Sequence, residues 1–382
     1  MIETIGILGG GQLGRMLTLE AKRMGYRVAT LEPLPNSPCG QVADEQIVAA
    51  YDDLRAIGEL GARSDVVTYE FENIPLESIA SLEAEQRLVR PGGEVLRITQ
   101  HRILEKTFVR ACGIPTADFA PVRAVGDLCS AIEIVGYPAV LKTVTGGYDG
   151  KGQWVVHDEI EAASAFAEAR GRELICEAFV PFEREISIIA ARNERDEIIT
   201  FPVSENIHDT GVLAFTIVPA RVSDAIVELA REYAIRIARA LSIVGAFCIE
   251  YFHVGDGLLV NEIAPRVHNS GHYSLDATQI SQYEAHVRAI CDLPLVEPRM
   301  LVPAVVMVNI LGTGEGDFLD HQADLLRDPN VSLHLYGKSH AALRRKMGHF
   351  TVLADDPDDG LEEARRLHAA LRWTRHAPLT AV

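Results

Sequence analysis

The first thirty residues of this chain admit few folds. Residues 2–9 read as a buried strand, apolar at Ile2, Ile5, Ile7 and Leu8, running into Gly9-Gly10-Gly11-Gln12-Leu13-Gly14. An amphipathic stretch then continues to about Met24, with a turn at Gly25 and a second apolar run, Arg27–Leu31. A strand apolar on both faces belongs inside a covered parallel sheet, and a glycine turn into a helix returns the chain beside it. That βαβ start commits the first part of the chain to an α/β, Rossmann-like sheet. Val66–Tyr69 reads as a further strand, with Glu70, Glu72 and Asn73 just past its carboxyl end. Ligands of doubly wound sheets collect at such strand ends.

At 382 residues the chain is too long for a single core, so two or three domains are expected. Pro91-Gly92-Gly93 interrupts the pattern and sets a first boundary, giving an N-terminal domain of residues 1–98. The next unit, 99–298, reads as mixed α+β. It opens with a helix over 99–115, followed by strands at Tyr137–Thr143, Gln153–Val156 and Leu174–Val180. Glu185–Arg192 and Ile198–Val203 read as a strand pair, and Ser223–Leu241 as a long amphipathic helix. Two strand-like segments follow, Cys248–Phe252 and Leu258–Ile263. After Pro294-Leu295 the apolar strand Val302–Asn309 opens a small C-terminal domain, 299–382.

The balance of 36 basic against 54 acidic residues gives a net charge of −18. Without a basic block, such a chain is a poor partner for nucleic acid, whose binding rests on clustered Lys and Arg. The cysteines at 39, 112, 129, 176, 248 and 291 include no C-x-x-C pair, and several lie in apolar runs. They are expected to be reduced and buried as small hydrophobes. No apolar run reaches membrane-spanning length, and the chain opens into a strand without a basic leader, so a cytoplasmic protein is expected.

Two segments carry the chemistry. Gly146-Gly147-Tyr148-Asp149-Gly150-Lys151-Gly152 follows a strand ending near Lys142. Its glycines let backbone N–H groups approach phosphate oxygens and let the loop open and close. No Ser or Thr follows Lys151, so this is not a P-loop. Glu250 and Glu262, on neighbouring strand-like segments, supply two carboxylates among apolar neighbours. Two carboxylates in one cleft repel unless a cation sits between them, and oxygen ligands suit magnesium. A phosphate-covering loop with a two-carboxylate magnesium site implies ATP chemistry. The N-terminal G-x-G-x-x-G with Glu32 some twenty residues on leaves NAD binding open, as it does a ribonucleotide phosphate at the helix N-terminus. Arg266-Val267-His268-Asn269-Ser270-Gly271-His272 suits an anion held by Arg266, with His268 and Asn269 hydrogen-bonding a substrate. Zinc on His268 and His272 is disfavoured because Pro265 and Gly271 oppose a regular helix. Lys338 to His349, with Arg344-Arg345-Lys346, is the densest basic cluster, either a solvated face or an anion site.

These residues resemble the ATP-grasp superfamily and, within it, the N5-carboxyaminoimidazole ribonucleotide synthetase family. The likeness rests on Ile7–Arg15, Val67–Pro75, Gly146–Gln153, Phe182–Ser187, Asn261–His272 and Arg345–His349. It implies an N-terminal Rossmann-like domain, a central ATP-grasp domain of two subdomains, a small C-terminal domain, and usually a homodimer. It further implies ATP contacts from Arg102, Lys142 and Gly146 to Gly152, with Glu177, Ala178, Phe179 and Val180 lining the adenine hinge. Glu185 would hold the ribose, His208 and Asn261 would complete that pocket, and Glu250 and Glu262 would hold magnesium. Aminoimidazole ribonucleotide would meet Gly11, Gln12, Glu72, Tyr148, Asp149, Arg266, His268, Asn269, Lys338 and Arg345. The implied catalytic residues are Arg266, His268, Asp149 and Lys142. The implied reaction joins bicarbonate to the ribonucleotide amine at the expense of ATP. A formate-using relative in the same superfamily is the nearest alternative.

Overall fold

The computed structural model describes residues 2–147 and 151–375. Among these, the N-terminal sheet has strands β1 (Thr4–Leu8), β2 (Arg27–Leu31), β3 (Glu45–Ile47) and β4 (Val66–Tyr69), in the order β3-β2-β1-β4. All pairings are parallel, with Leu8 level with both Leu31 and Tyr69. Gly9, Glu32 and Glu70 therefore leave the sheet at the same end, beside the helix Gln12–Arg23.

The second sheet is antiparallel, ordered β5-β8-β6-β7, from β5 (Phe119–Val122), β6 (Ala139–Thr143), β7 (Gln153–Val156) and β8 (Leu174–Ala178). Helices Asp127–Val135 and Glu159–Glu168 cover it through buried Leu128, Ala131, Ala162 and Ala165. The glycine-rich segment joins β6 to β7.

The third sheet begins with β9 (Arg184–Arg192), β10 (Ile198–Thr200), β11 (Ser204–Asp209) and β12 (Val212–Val218). Strands β13 (Gly245–Val254), β14 (Gly257–Ala264) and β15 (Ala304–Leu311) follow, and β16 (Phe318–Asp320) lies outside it. It is completed by β17 (Val331–Leu335) and β18 (Lys346–Ala354), in the order β14-β13-β9-β11-β12-β15-β18-β17, with β10 on β9. β16 pairs separately with β19 (Arg372–Thr374). The sheet runs unbroken across the expected boundary at 298/299, because the apolar strand β15 pairs with β12. This covers an edge that would otherwise expose its backbone.

The expected helix over 99–115 is two helices, Gly93–Thr99 and Arg102–Ala111. They are split at Gln100-His101, where the His101 side chain accepts from Leu104 N. The break puts Arg102 at the start of the second helix, with its N–H on Val144 O. All six cysteines are free, and Cys39, Cys176 and Cys248 are buried as expected. Cys129, however, is exposed, on the outer side of the helix Asp127–Val135. Among the described residues no helix is long and apolar enough to cross a membrane.

His286 joins the N-terminal and central sheets. Its Nδ1 accepts from Ala246 N at 3.0 Å, so Nε2 carries the proton and donates to Thr68 Oγ1 at 2.9 Å. Burial pushes its pKa down to about 4. A protein holding this group neutral loses stability as pH falls, because the unfolded chain takes up the proton first. Between about 6.5 and 4 the contribution is about 3 kcal/mol at full effect. Denaturant midpoints measured across this range should fall less steeply for His286→Gln than for the parent. Parallel slopes would place the titration elsewhere.

Candidate active site

A cleft of about 820 Å³ lies where the three sheets meet. Its floor is the β13–β14 hairpin, in which Glu250 and Glu262 are direct cross-strand partners. The two carboxylates expected to share a cleft do so, and both line it. The Glu250 side chain is 15% exposed. Burial, and then the Glu262 charge, push its carboxyl up to about 8. His268 Nε2 lies 3.4 Å from Glu250 Oε1, and Arg102 donates to Glu262 Oε2 at 3.2 Å. Among the described residues there is no group of three or more His, Cys, Asp or Glu side chains placed to hold a metal. Two carboxylates suffice for magnesium, which takes its other oxygens from water and phosphates. The raised carboxyl fits a cation, since a positive charge would return it to its ionised form.

Above the floor, Lys142 on β6 donates to Glu177 Oε2 at 2.8 Å, and Lys106 lies 3.4 Å from Glu177 Oε1. Burial acts to raise the Glu177 carboxyl, but Lys106 and Lys142 prevail and hold it at about 2. Glu177 thus anchors two lysines, while the following Ala178, Phe179 and Val180 line the cleft. Gly146, Gly147, Lys151 and Gly152 line it too, with positive φ at Gly146 and Gly152. Tyr148, Asp149 and Gly150 lie outside the described residues. The Phe182 and Phe252 rings stack 4.8 Å apart at the rim. Glu185 Oε2 is 2.7 Å from His208 Nδ1. Burial lowers His208, but the hydrogen bond and charge of Glu185, then Glu250, leave its pKa raised.

At the other end, Arg266 donates from Nε to Glu72 Oε2 at 2.5 Å and from NH1 to Val267 O at 3.0 Å. His268 Nδ1 accepts from Ser270 N at 3.3 Å, which leaves the ring proton on Nε2, facing Glu250. Burial, then Arg266 and Lys346, hold His268 well below the usual histidine range, so it is neutral. Asn269 is buried, and among the described residues its amide O and N have no hydrogen-bond partner; the same is true of Asn261 Oδ1. Both residues line the cleft. Such orphaned polar atoms are what a ligand would satisfy.

One sequence expectation needs correction. The helix N-terminus at Gly11-Gln12 does not offer free donors for a phosphate. Gly11 N and Gly14 N donate to the Glu70 carboxylate, and Gly10 N donates to Glu32 Oε2 at 2.9 Å. The glycines make room for these carboxylates: a Cβ on Gly11 would lie 2.6 Å from Glu70 Oε1, and one on Gly10 2.4 Å from Glu32 Cγ. The G-x-G-x-x-G turn is filled by the protein's own acids, which also removes the basis for NAD binding. Gln12 still lines the cleft, and Lys338 Nζ donates to its Oε1 at 2.8 Å. Arg345 NH1 donates to His340 O at 3.2 Å; among the described residues that line the cleft, its neighbour Lys346 is present and Arg345 is not. Sequence reasoning missed this role for Lys346, along with Lys106, Glu105 and the cap formed by Glu70. For Glu70 a signal existed, an acid directly after β4, level with the glycine turn.

Three family models match the chain. Residues 2–100 match the ribonucleotide synthetase preATP-grasp domain and residues 107–283 the ATP-grasp domain. Residues 305–363 match the phosphoribosylaminoimidazole carboxylase C-terminal domain. A Bacillus subtilis protein named N5-carboxyaminoimidazole ribonucleotide synthase is 44% identical over 360 residues, covering 94% of this chain and 93% of its own. The Brucella melitensis protein of that name is 46% identical over 352 residues, 91% of this chain and 96% of its own. Among solved structures, an ADP complex of N5-carboxyaminoimidazole ribonucleotide synthetase has a TM-score of 0.89 at 47% identity, over 96% of each chain. The Aspergillus clavatus enzyme, in complex with ADP and 5-aminoimidazole ribonucleotide, has a TM-score of 0.88 at 32% identity, over 96% of this chain and 98% of that one. Fold and cleft together define an ATP-grasp ligase. Within that class, the chain belongs to the N5-carboxyaminoimidazole ribonucleotide synthase family.

Proposed function

We propose that the chain converts ATP, bicarbonate and 5-aminoimidazole ribonucleotide to ADP, phosphate and N5-carboxyaminoimidazole ribonucleotide, in purine biosynthesis. The observation that carries this is one cleft that gathers two kinds of group. The carboxylate pair Glu250 and Glu262, Lys142 and glycines of the loop line it together with Arg266, His268 and Asn269, and His268 Nε2 lies 3.4 Å from Glu250 Oε1. We read the chain as three domains, 1–98, 99–298 and 299–382, in a cytoplasmic homodimer with small-molecule partners only.

Bicarbonate is a poor electrophile, since its leaving group would be hydroxide. Transfer of the γ-phosphoryl group of ATP to a bicarbonate oxygen gives carboxyphosphate, whose leaving group is phosphate. The ribonucleotide amine then attacks the carboxyl carbon, or the carbon dioxide released from it, and the C–O bond to phosphate breaks. Overall one proton is released. Magnesium, held by Glu250 and Glu262, would offset charge on the transferred phosphates. Lys142, fixed by Glu177, faces the same charge. Arg266 is oriented by Glu72 to hold the bicarbonate-derived anion. His268, neutral with its proton on Nε2, is a hydrogen-bond donor in this arrangement. Asp149, within the loop, would help close it over the ribonucleotide and exclude water from carboxyphosphate.

ADP release is the test, measured with each substrate omitted in turn. It is expected to require both bicarbonate and the ribonucleotide, in one-to-one ratio with the carbamate. Turnover supported by formate in place of bicarbonate would overturn the assignment.

A further inference from the structure

The segment that supplies Arg266, His268 and Asn269 also contains Ser270, which no step above uses. Ser270 is fully buried and is not among the described residues that line the cleft. It meets a polar row that crosses the third sheet. Ser187 on β9 is level with Glu250 of β13 on one side and with Ser204 of β11 on the other. Two residues beyond Ser204, Asn206 is level with Thr216 of β12. Cross-strand partners share a face, as do residues two apart on one strand. Glu250, Ser187, Ser204, Asn206 and Thr216 therefore stand on the same face of the sheet, and all but Glu250 are buried.

Polar groups this deep must bond one another, and here their protons run in one direction. Thr216 Oγ1 donates to Asn206 Oδ1 at 3.1 Å, which turns the amide N–H group to Ser187 Oγ, 2.9 Å away. Ser187 Oγ donates to Ser270 Oγ at 2.8 Å. A hydroxyl has a single proton, so at the 2.8 Å contact between Ser187 and Ser204 it is Ser204 that donates. Ser270 Oγ has accepted from Ser187 and keeps its own proton for His268 Nδ1, at 2.9 Å. Its other neighbour, Cys248 Sγ at 3.8 Å, is a far weaker acceptor. The Ser270 backbone N–H points to the same ring nitrogen at 3.3 Å. With two donors on Nδ1, the ring proton stays on Nε2, which faces Glu250 Oε1 at 3.4 Å.

We propose that Ser270, Ser187, Asn206 and Thr216 are positioning residues, a one-way hydrogen-bond chain through the sheet that fixes the His268 ring as an Nε2–H donor directed into the cleft. The assignment rests on the ligase function above. In that reaction an Nε2–H donor holds an oxygen of the bicarbonate-derived anion beside Arg266. A ring with its proton on Nδ1 would present a lone pair there and repel the same oxygen. The turn held by Ser270 also carries Asn269, whose amide lines the cleft without a partner among the described residues, so one anchor aims both side chains.

The test is the nitrogen NMR spectrum of the full chain labelled at histidine, with the His268 signals assigned by their loss in His268→Gln. It is read beside kcat, each KM and Tm for Ser270→Ala, Ser187→Ala and Ser270→Thr. The parent is expected to show one His268 tautomer, with the proton on Nε2. In both alanine variants this should become a mixture of tautomers, and kcat should fall about tenfold, the equivalent of one lost hydrogen bond. The KM for ATP should stay near the parental value. Ser270→Thr keeps the hydroxyl and should recover the single tautomer and most of kcat. A parent ring protonated on Nδ1 would overturn the proposal. Alanine variants that keep either the single tautomer or the parental kcat would do the same, however far Tm falls, because the hydroxyls would then only hold the sheet together. If Ser270→Ala does not fold, Ser187→Ala, which leaves every group touching His268 in place, carries the same outcomes. Failure of the unmodified protein to couple ADP release to bicarbonate and ribonucleotide would instead overturn the ligase function, while the ring tautomer still decides the chain.

Discussion

Glu262→Gln is expected to abolish ATP turnover with the fold intact, and Glu250→Gln to lower it less. Each exchange removes one negative charge at nearly constant volume from a pair facing each other across β13 and β14. A metal ion contributes several kcal/mol of charge stabilisation to phosphoryl transfer, so the Glu262 variant should lose about 10³-fold in kcat or more. Raising magnesium should recover part of this. The smaller effect at Glu250 follows from its environment. Burial and the Glu262 charge hold its carboxyl up to about 8 without a cation, so at neutral pH it brings less charge to the site. A raised carboxyl stabilises the fold below its unfolded pKa and loses that contribution as pH rises through its folded value. The metal-free parent should therefore lose stability between about pH 4.5 and 8 through this group, and Glu250→Gln should lose less. Magnesium should erase the difference. Undiminished turnover in the double variant at ordinary magnesium would sink the metal assignment.

The carboxylate pair was legible because two adjacent apolar strands each carried a single acid, and strand alternation with a short turn predicts that they face each other. The N-terminal βαβ unit was legible for a similar reason, an apolar period that only a covered parallel sheet satisfies. What escaped the sequence depended on long-range pairing. Nothing local shows that β15 pairs with β12 and carries β18 beside it, so within one basic cluster the expectation fell on Lys338 and Arg345 and passed over Lys346. Arg344 turns away to Thr210, Arg345 bonds His340 O, and of these neighbours Lys346 is the one that lines the cleft. The glycine turn misled for a different physical reason. The same three glycines admit a ligand phosphate or an internal carboxylate, and the acid that fills the turn, Glu70, comes from a strand some sixty residues on. Lys106 and Glu105 sit on a helix whose break at Gln100-His101 was not foreseen, and that break sets which helical face meets Glu177 and Ile263.

Arg266→Ala should cost activity and stability together, and a second substitution should separate the two. The guanidinium and the Glu72 carboxylate are 13% and 24% exposed and share a 2.5 Å contact. Burial acts to raise Glu72, but Arg266 overcomes it and holds the carboxyl below its usual range. Removing the arginine strands that charge in the cleft wall, and breaking one side of such a pair costs about 3 kcal/mol. A fall of several degrees in Tm is expected. The pH dependence should change sign. In the parent, the depressed Glu72 contributes stability above about pH 4.5 that is lost on acidification through its folded pKa. In Arg266→Ala, burial is the largest influence left on Glu72, opposed only by a backbone hydrogen bond and the Arg102 charge, so acidification protonates it and relieves the penalty. The difference in Tm between parent and variant should accordingly be smaller at pH 5 than at pH 8. Arg266→Ala with Glu72→Gln removes the stranded charge and should recover most of the lost Tm at both pH values. It should not recover turnover, because the bicarbonate-derived anion would still lack its cation, and kcat should stay about 10²-fold or more below the parent. If the double variant regains activity as well as stability, Arg266 serves only to balance Glu72, and the anion is held elsewhere in the cleft.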